Sequence, residues 1–153
     1  MPRLTVGAKA PDFSLPDGEG GNVSLRGLKG KTVILYFYPK DDTSGCTKEA
    51  CDFQENLPLI TKKGGVVVGV SADSVASHKK FAEKFALSFP LASDEKKEVL
   101  KKYGVWKEKS MYGRKFMGIE RTTFVVDGAG VITHIFPKVK VGGHVEELLG
   151  LLE

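Results

Sequence analysis

The stretch Thr32-Val-Ile-Leu-Tyr-Phe-Tyr38-Pro39-Lys-Asp-Asp-Thr43-Ser-Gly-Cys46-Thr-Lys-Glu-Ala-Cys51 decides the fold. Thr32 to Tyr38 is a nearly unbroken run of apolar, β-branched and aromatic side chains, the pattern of a strand covered on both faces and therefore central in its sheet. Helical spacing follows from about Thr43 to Thr61, interrupted by Pro58, and Gly64-Gly65 marks its end. A second buried strand, Val66-Val-Val-Gly-Val-Ser71, comes next. Strand, helix and strand in that order make a βαβ unit, which implies a parallel pair with a right-handed crossover.

Outward from this unit the punctuation is clear. Asp12-Phe13-Ser14-Leu15 and Asn22-Val23-Ser24-Leu25 read as an edge hairpin closed by Pro16-Asp-Gly-Glu-Gly-Gly21. Ser74 can cap a helix carrying His78, Phe81, Ala82 and Phe85 at core spacing; a short strand follows within Leu87 to Ala92, then a charged helix from Glu95 to Tyr103 ended by Gly104. From Gly104 to Glu120 the apolar residues keep no steady period, which predicts a long loop of the kind that is usually functional. Thr122 to Val126 and Val131 to Phe136 read as an antiparallel hairpin around Asp127-Gly-Ala-Gly130, and Gly143 to Leu152 as an amphipathic terminal helix. The expected class is α/β: a mixed central sheet flanked by helices with an N-terminal β-hairpin, an order compatible with a thioredoxin-like fold.

Composition bounds the rest. At 153 residues and 41% hydrophobic content the chain, 1–153, is expected to be a single domain. Its two cysteines are too few for a stapled secreted scaffold, and Met1-Pro-Arg-Leu-Thr-Val-Gly7 lacks the features of a signal peptide, so a cytoplasmic location is expected. No apolar run approaches the roughly 18 to 20 residues that span a bilayer. The net charge of +4 comes from scattered pairs such as Lys62-Lys63, Lys79-Lys80, Lys96-Lys97 and Lys101-Lys102 mixed with acids, so no nucleic-acid stripe is expected.

Chemistry is concentrated at Cys46 and Cys51, the only cysteines in the chain. Cys46 falls where a strand gives way to a helix, and the unpaired amides and dipole of a helix's first turn favour an anion; cysteines so placed can ionise well below the free value of about 8.5. In an intact helix, residues five apart differ by about 140° in direction and about 7.5 Å in rise, so their Cα atoms are roughly 8 to 9 Å apart. A disulfide needs less than about 7 Å. Bonding would therefore require unwinding around residues 44 to 53, which Gly45 would ease. There is no Cys-x-x-Cys, and two cysteines with the dispersed His78, His134 and His144 make no zinc cluster. The histidines read as surface or core-margin residues. On the residues alone, both cysteines could equally be small buried hydrophobes.

Pro39-x-x-x-Thr43-x-x-Cys46 resembles the active-site signature of the peroxiredoxins. The continuation Cys46-Thr-Lys-Glu-Ala-Cys51-Asp-Phe is similar to the bacterioferritin comigratory protein, or peroxiredoxin Q, branch, as are the segment Gly104 to Gly118 and Arg121-Thr-Thr-Phe124. The likeness runs from Ala10-Pro-Asp-Phe13 to the terminal helix. It implies a peroxidase for hydrogen peroxide and organic hydroperoxides, with Cys46 as the peroxidatic and Cys51 as the resolving cysteine, an intramolecular disulfide between them, and recycling by thioredoxin or a similar dithiol. It also implies a monomer needing no metal, flavin or haem.

Several neighbours suit this chemistry. Arg121 can place a permanent charge and several donors beside the thiolate. Thr43 can offer a hydroxyl that both donates and accepts while capping the helix, and Pro39, without an amide hydrogen, can shield the pocket. Backbone amides at Gly45 and Cys46 can meet developing negative charge. Glu49 either orients Arg121 or is a solvated helical carboxylate; Trp106, Phe116 and Met117 either line the approach or pack. The competing functional readings on the same cysteines are a thiol-disulfide oxidoreductase and a redox-sensing or holdase module.

Overall fold

The computed structural model describes residues 4–152. Five strands form one mixed sheet: β3 (Thr32–Phe37), β4 (Gly65–Ser71), β5 (Leu91–Ser93), β8 (Thr122–Val126) and β9 (Ile132–Phe136), in the order β5-β4-β3-β8-β9. β3 pairs in parallel with β4 and β4 with β5, whereas β3–β8 and β8–β9 are antiparallel. The central position expected for β3 is borne out.

Alternation along β3 divides the interior. Val33, Leu35 and Phe37 join one apolar cluster, and Ile34, Tyr36 and Tyr38 join the other. The second cluster is roofed by α1 (Ser44–Lys62), α2 (Val75–Phe85) and α4 (His144–Leu151), through residues such as Ala50, Phe53, Phe81 and Leu148. The first is covered by the one-turn helix α3 (Glu98–Lys102) and by a hairpin of β1 (Ser14–Pro16) and β2 (Asn22–Ser24), which contributes Leu15 and Val23. A period of two with both faces buried is why the strand reads as continuously apolar.

The expected edge hairpin is instead its own two-stranded sheet, which packs on the first cluster and, among the described residues, meets the main sheet's ladder through the bridge between Asp17 and Ala92. Pro58 does not interrupt α1. It lies on the exposed side of the helix, where a carbonyl lacking its amide partner can be hydrated. The charged helix begins three residues later than expected because Lys97 takes a left-handed conformation, φ 64°. The largest difference is in 104–120, where the expected loop is a hairpin of β6 (Trp106–Met111) and β7 (Arg114–Ile119).

Candidate active site

Phe37 at the end of β3 pairs with Thr122 at the start of antiparallel β8. Arg121 therefore lies beyond the carboxyl end of β3, where the chain also turns through Lys40–Thr43 and enters α1. Such ends are where open α/β sheets leave a crevice for ligands.

Cys46 is the third residue of α1 and is 1% exposed. The first turn closes with the Thr47 amide donating to the Thr43 carbonyl at 2.8 Å, so the amides of Ser44, Gly45 and Cys46 precede the first residue that can bond within the helix. Arg121 Nη2 donates to Cys46 Sγ at 3.2 Å, and Nη1 donates to Glu49 Oε1 at 2.6 Å. One guanidinium fork thus spans the sulfur and a carboxylate one helical turn away. A Cβ at Gly45 would sit 3.3 Å from Arg121 Nη2, so the small residue leaves room for the fork.

Glu49 is fully buried, which resolves its two readings in favour of the ion pair. Burial pushes its carboxyl up to about 7, with Arg121 acting in the opposite direction. Its Oε2 and the buried Tyr36 hydroxyl have no hydrogen-bond partner among the described residues. Burial, reinforced by Glu49 and Cys46, holds the Tyr36 phenol well above its ordinary range, so it stays neutral. For Arg121, burial alone would lower the guanidinium, but Glu49 and Cys46 raise it on balance.

Thr43 occupies the N-cap position without a side-chain cap bond. Its hydroxyl donates instead to the Lys40 carbonyl at 2.8 Å, so the expected capping role is replaced by a turn-closing one. Pro39 is exposed immediately after Tyr38. Cys51 is half-buried in the same unbroken helix; burial, then Asp52, pushes its thiol up. Both cysteines are free thiols.

Other expectations are corrected. His78 and His144 are buried, and only His134 is at the core margin. Phe116 and Met117 are 43% and 49% exposed, so neither is a packing residue, whereas half-buried Trp106 packs against the core with the Lys97 ammonium 5.5 Å from its ring centroid. Sequence reasoning does not single out Lys109 on β6. Its Cδ passes 3.2 Å from where a Cβ of Gly118 would be, and burial together with Arg121 pushes its ammonium down while the Cys46 sulfur opposes.

A profile described as the AhpC/TSA family matches residues 6–135. The chain belongs to the AhpC/TSA family. Within this AhpC/TSA grouping it is 54% identical over 149 residues to the putative peroxiredoxin bcp of Coxiella burnetii, covering 97% of this chain and 99% of that one. It is 44% identical over 150 residues to peroxiredoxin Bcp of Bacillus subtilis, covering 98% and 96%. Among solved structures, Xanthomonas campestris peroxiredoxin Q superposes with a TM-score of 0.90 at 42% identity, covering 97% of this chain and 94% of the other. PrxQ of Xylella fastidiosa gives 0.93 at 35%, covering 99% and 97%. The resemblance to peroxiredoxin Q and the thioredoxin-like class are borne out. Among the described residues no helix is long and apolar enough to cross a membrane.

Proposed function

We propose that in this thiol-dependent peroxidase Cys46 is the sulfur oxidised by the peroxide and Cys51 is the thiol that resolves it. The observation that carries the reading is the hydrogen bond from Arg121 Nη2 to Cys46 Sγ at the amino end of α1, which aims a permanent cation and the first-turn amides at the sulfur. The thiolate attacks one peroxide oxygen; the S–O bond forms as the O–O bond breaks, and the departing oxygen takes a proton to leave as water or an alcohol. Cys46 is left as a sulfenic acid. Arg121 and the Gly45 and Cys46 amides meet the charge that grows on the leaving oxygen. Thr43, its hydrogen directed at Lys40, accepts from the peroxide O–H, and Pro39 bounds the pocket.

Cys51 then attacks the sulfenic sulfur: the S–S bond forms, the S–O bond breaks and water leaves. A dithiol, which resemblance makes thioredoxin or a protein like it, supplies the two electrons that reopen the disulfide by exchange. The substrates are hydrogen peroxide and organic hydroperoxides; the Xanthomonas campestris bacterioferritin comigratory protein has been studied for alkyl peroxide reduction. Cys46, Cys51 and Arg121 all lie on one chain, which supports oxidation and disulfide formation within a monomer. Cys46→Ser should abolish peroxide consumption, and Cys51→Ser should permit one oxidation but block turnover with thioredoxin. Full steady-state activity in Cys46→Ser rejects the reading.

A further inference from the structure

Beneath the Lys40–Thr43 turn lies a polar cluster that the reaction does not otherwise use. The Asp41 amide donates to Asp73 Oδ2 at 2.8 Å, and the Ser71 hydroxyl donates to the same oxygen at 2.7 Å. Asp41 Oδ1 accepts from the Tyr38 hydroxyl at 2.5 Å. Asp41 Oδ2 accepts from the Ser77 hydroxyl and faces His78 Nδ1, each at 2.7 Å. His78 Nε2 faces the Ala92 carbonyl at 3.0 Å.

Because a carbonyl only accepts, His78 Nε2 donates to Ala92, while Nδ1 meets Asp41 Oδ2 at 2.7 Å. Both side chains of the buried Asp41–His78 pair thus have hydrogen-bond partners for their polar atoms, which is how the pair tolerates burial. Asp41, Asp73 and His78 bring metal-ligand atoms within 4.8 Å of one another, but hydrogen-bond partners already occupy both Asp41 oxygens and His78 Nδ1. Asp42, at φ 59°, ties the upper side of the turn to α2 through Lys84 at 2.8 Å. The turn is held from two sides.

One peptide group joins this cluster to the site. The Asp41 N–H and the Lys40 C=O belong to the same plane and, in a trans peptide, point in opposite directions. Asp73 grips the N–H end; the carbonyl at the other end receives the Thr43 hydroxyl. We propose that Asp73 is a positioning residue for the peroxidase reaction: by clamping the Lys40–Asp41 peptide it aims the Lys40 carbonyl at the Thr43 hydroxyl, leaving the Thr43 oxygen as an acceptor for the peroxide. This rests on the reading of Thr43 given above. Asp73 touches neither the sulfur nor the substrate and acts wholly through that peptide.

The test is the single-turnover rate of Cys46 oxidation by hydrogen peroxide in the reduced full-length protein. Thr43→Val and Asp73→Ala should each be slower by about tenfold, whereas Asp73→Asn, which keeps an acceptor oxygen, should remain within about threefold of the wild type. In the Thr43→Val background Asp73→Ala should cost less than about twofold more, since the two act on one interaction. Asp73→Ser, too short to reach the amide, repeats the measurement if the alanine variant does not fold. Equal slowing by Asp73→Ala in both backgrounds, an unchanged rate in folded Asp73→Ala, or failure of Asp73→Asn to rescue overturns the proposal. An unchanged rate in Thr43→Val alone marks the failure of the Thr43 reading itself, and the proposal falls with it.

Discussion

Arg121 and Cys46, 75 residues apart, are joined by a hydrogen bond from Nη2 to Sγ at 3.2 Å. The antiparallel pairing of β8 on β3 delivers the guanidinium, and the other arm of the fork is fixed by Glu49 at 2.6 Å. A helix end, a fixed cation and a buried carboxylate therefore converge on one sulfur.

The bidentate geometry predicts that lysine cannot replace Arg121. An ammonium is a single point of charge without a fork, so it cannot serve Sγ and Glu49 Oε1 together. Arg121→Lys should slow Cys46 oxidation by about 10²- to 10³-fold, the usual loss of a donor aimed at developing charge. It should also lower stability, because Glu49 is left buried with a poorer partner. Adding Glu49→Gln should recover stability without recovering the rate. Stopped-flow oxidation and urea melts separate the two effects, and a near-wild-type rate in Arg121→Lys contradicts the assignment.

Gly45 offers a sharper test, because stability and rate should move in opposite directions. Alanine within a helix is favoured over glycine by about 0.5–1 kcal/mol. The new methyl would press on Arg121 Nη2 from 3.3 Å and shift the fork from the sulfur. Gly45→Ala should therefore melt at or above the wild-type temperature yet oxidise several-fold more slowly. A variant both stabilised and undiminished in rate removes this steric link.

Much of this was legible in the sequence. β3 and β4 announce themselves as apolar runs because both faces are covered, and Cys46, Ala50 and Phe53 fall at helical spacing on one buried stripe. Glu49 sits on that same stripe, which is the local reason that it is buried; spacing alone does not say that an arginine from another strand awaits it. The β6–β7 hairpin was hidden for a different reason. Its turn residues, Tyr112 and Gly113, both have positive φ, 53° and 75°, as a two-residue hairpin turn requires, but tyrosine masks the usual Asn-Gly signal. Most of its side chains face solvent, so burial imposes no alternation. Asp73 was missed because it reaches the site through tertiary contacts that no local pattern encodes.

Glu49 also makes stability depend on pH. Its carboxyl rises from an ordinary 4.5 to about 7 on folding, chiefly through burial. Between those values the folded protein holds a proton that the unfolded chain releases. The contribution is fully present below about 4.5 and is lost as the pH rises through about 7. Urea unfolding at pH 5 and pH 8 should show the wild type losing up to about 3 kcal/mol more than Glu49→Gln over that interval. Parallel pH dependence in the two proteins contradicts the assignment.

The resolving step should require α1 to open. Cys46 and Cys51 lie in one continuous helix, Ser44–Lys62, which keeps residues five apart roughly 8 to 9 Å between Cα atoms, beyond the limit of about 7 Å for a disulfide. Burial also keeps the Cys51 thiol above its ordinary range, so the folded helix withholds both reach and reactivity. Unwinding supplies both, by bringing the sulfurs together and exposing Cys51 to water. In the disulfide form, amide exchange over residues 44–53 should rise, while β3 and β4 stay protected. Lys48→Gly, on the exposed face, should ease the opening by about 0.5–1 kcal/mol and speed disulfide formation about two- to fivefold, without changing the first oxidation. A protected helix in a verified disulfide form, or no acceleration in Lys48→Gly, would rule out unwinding as the gate.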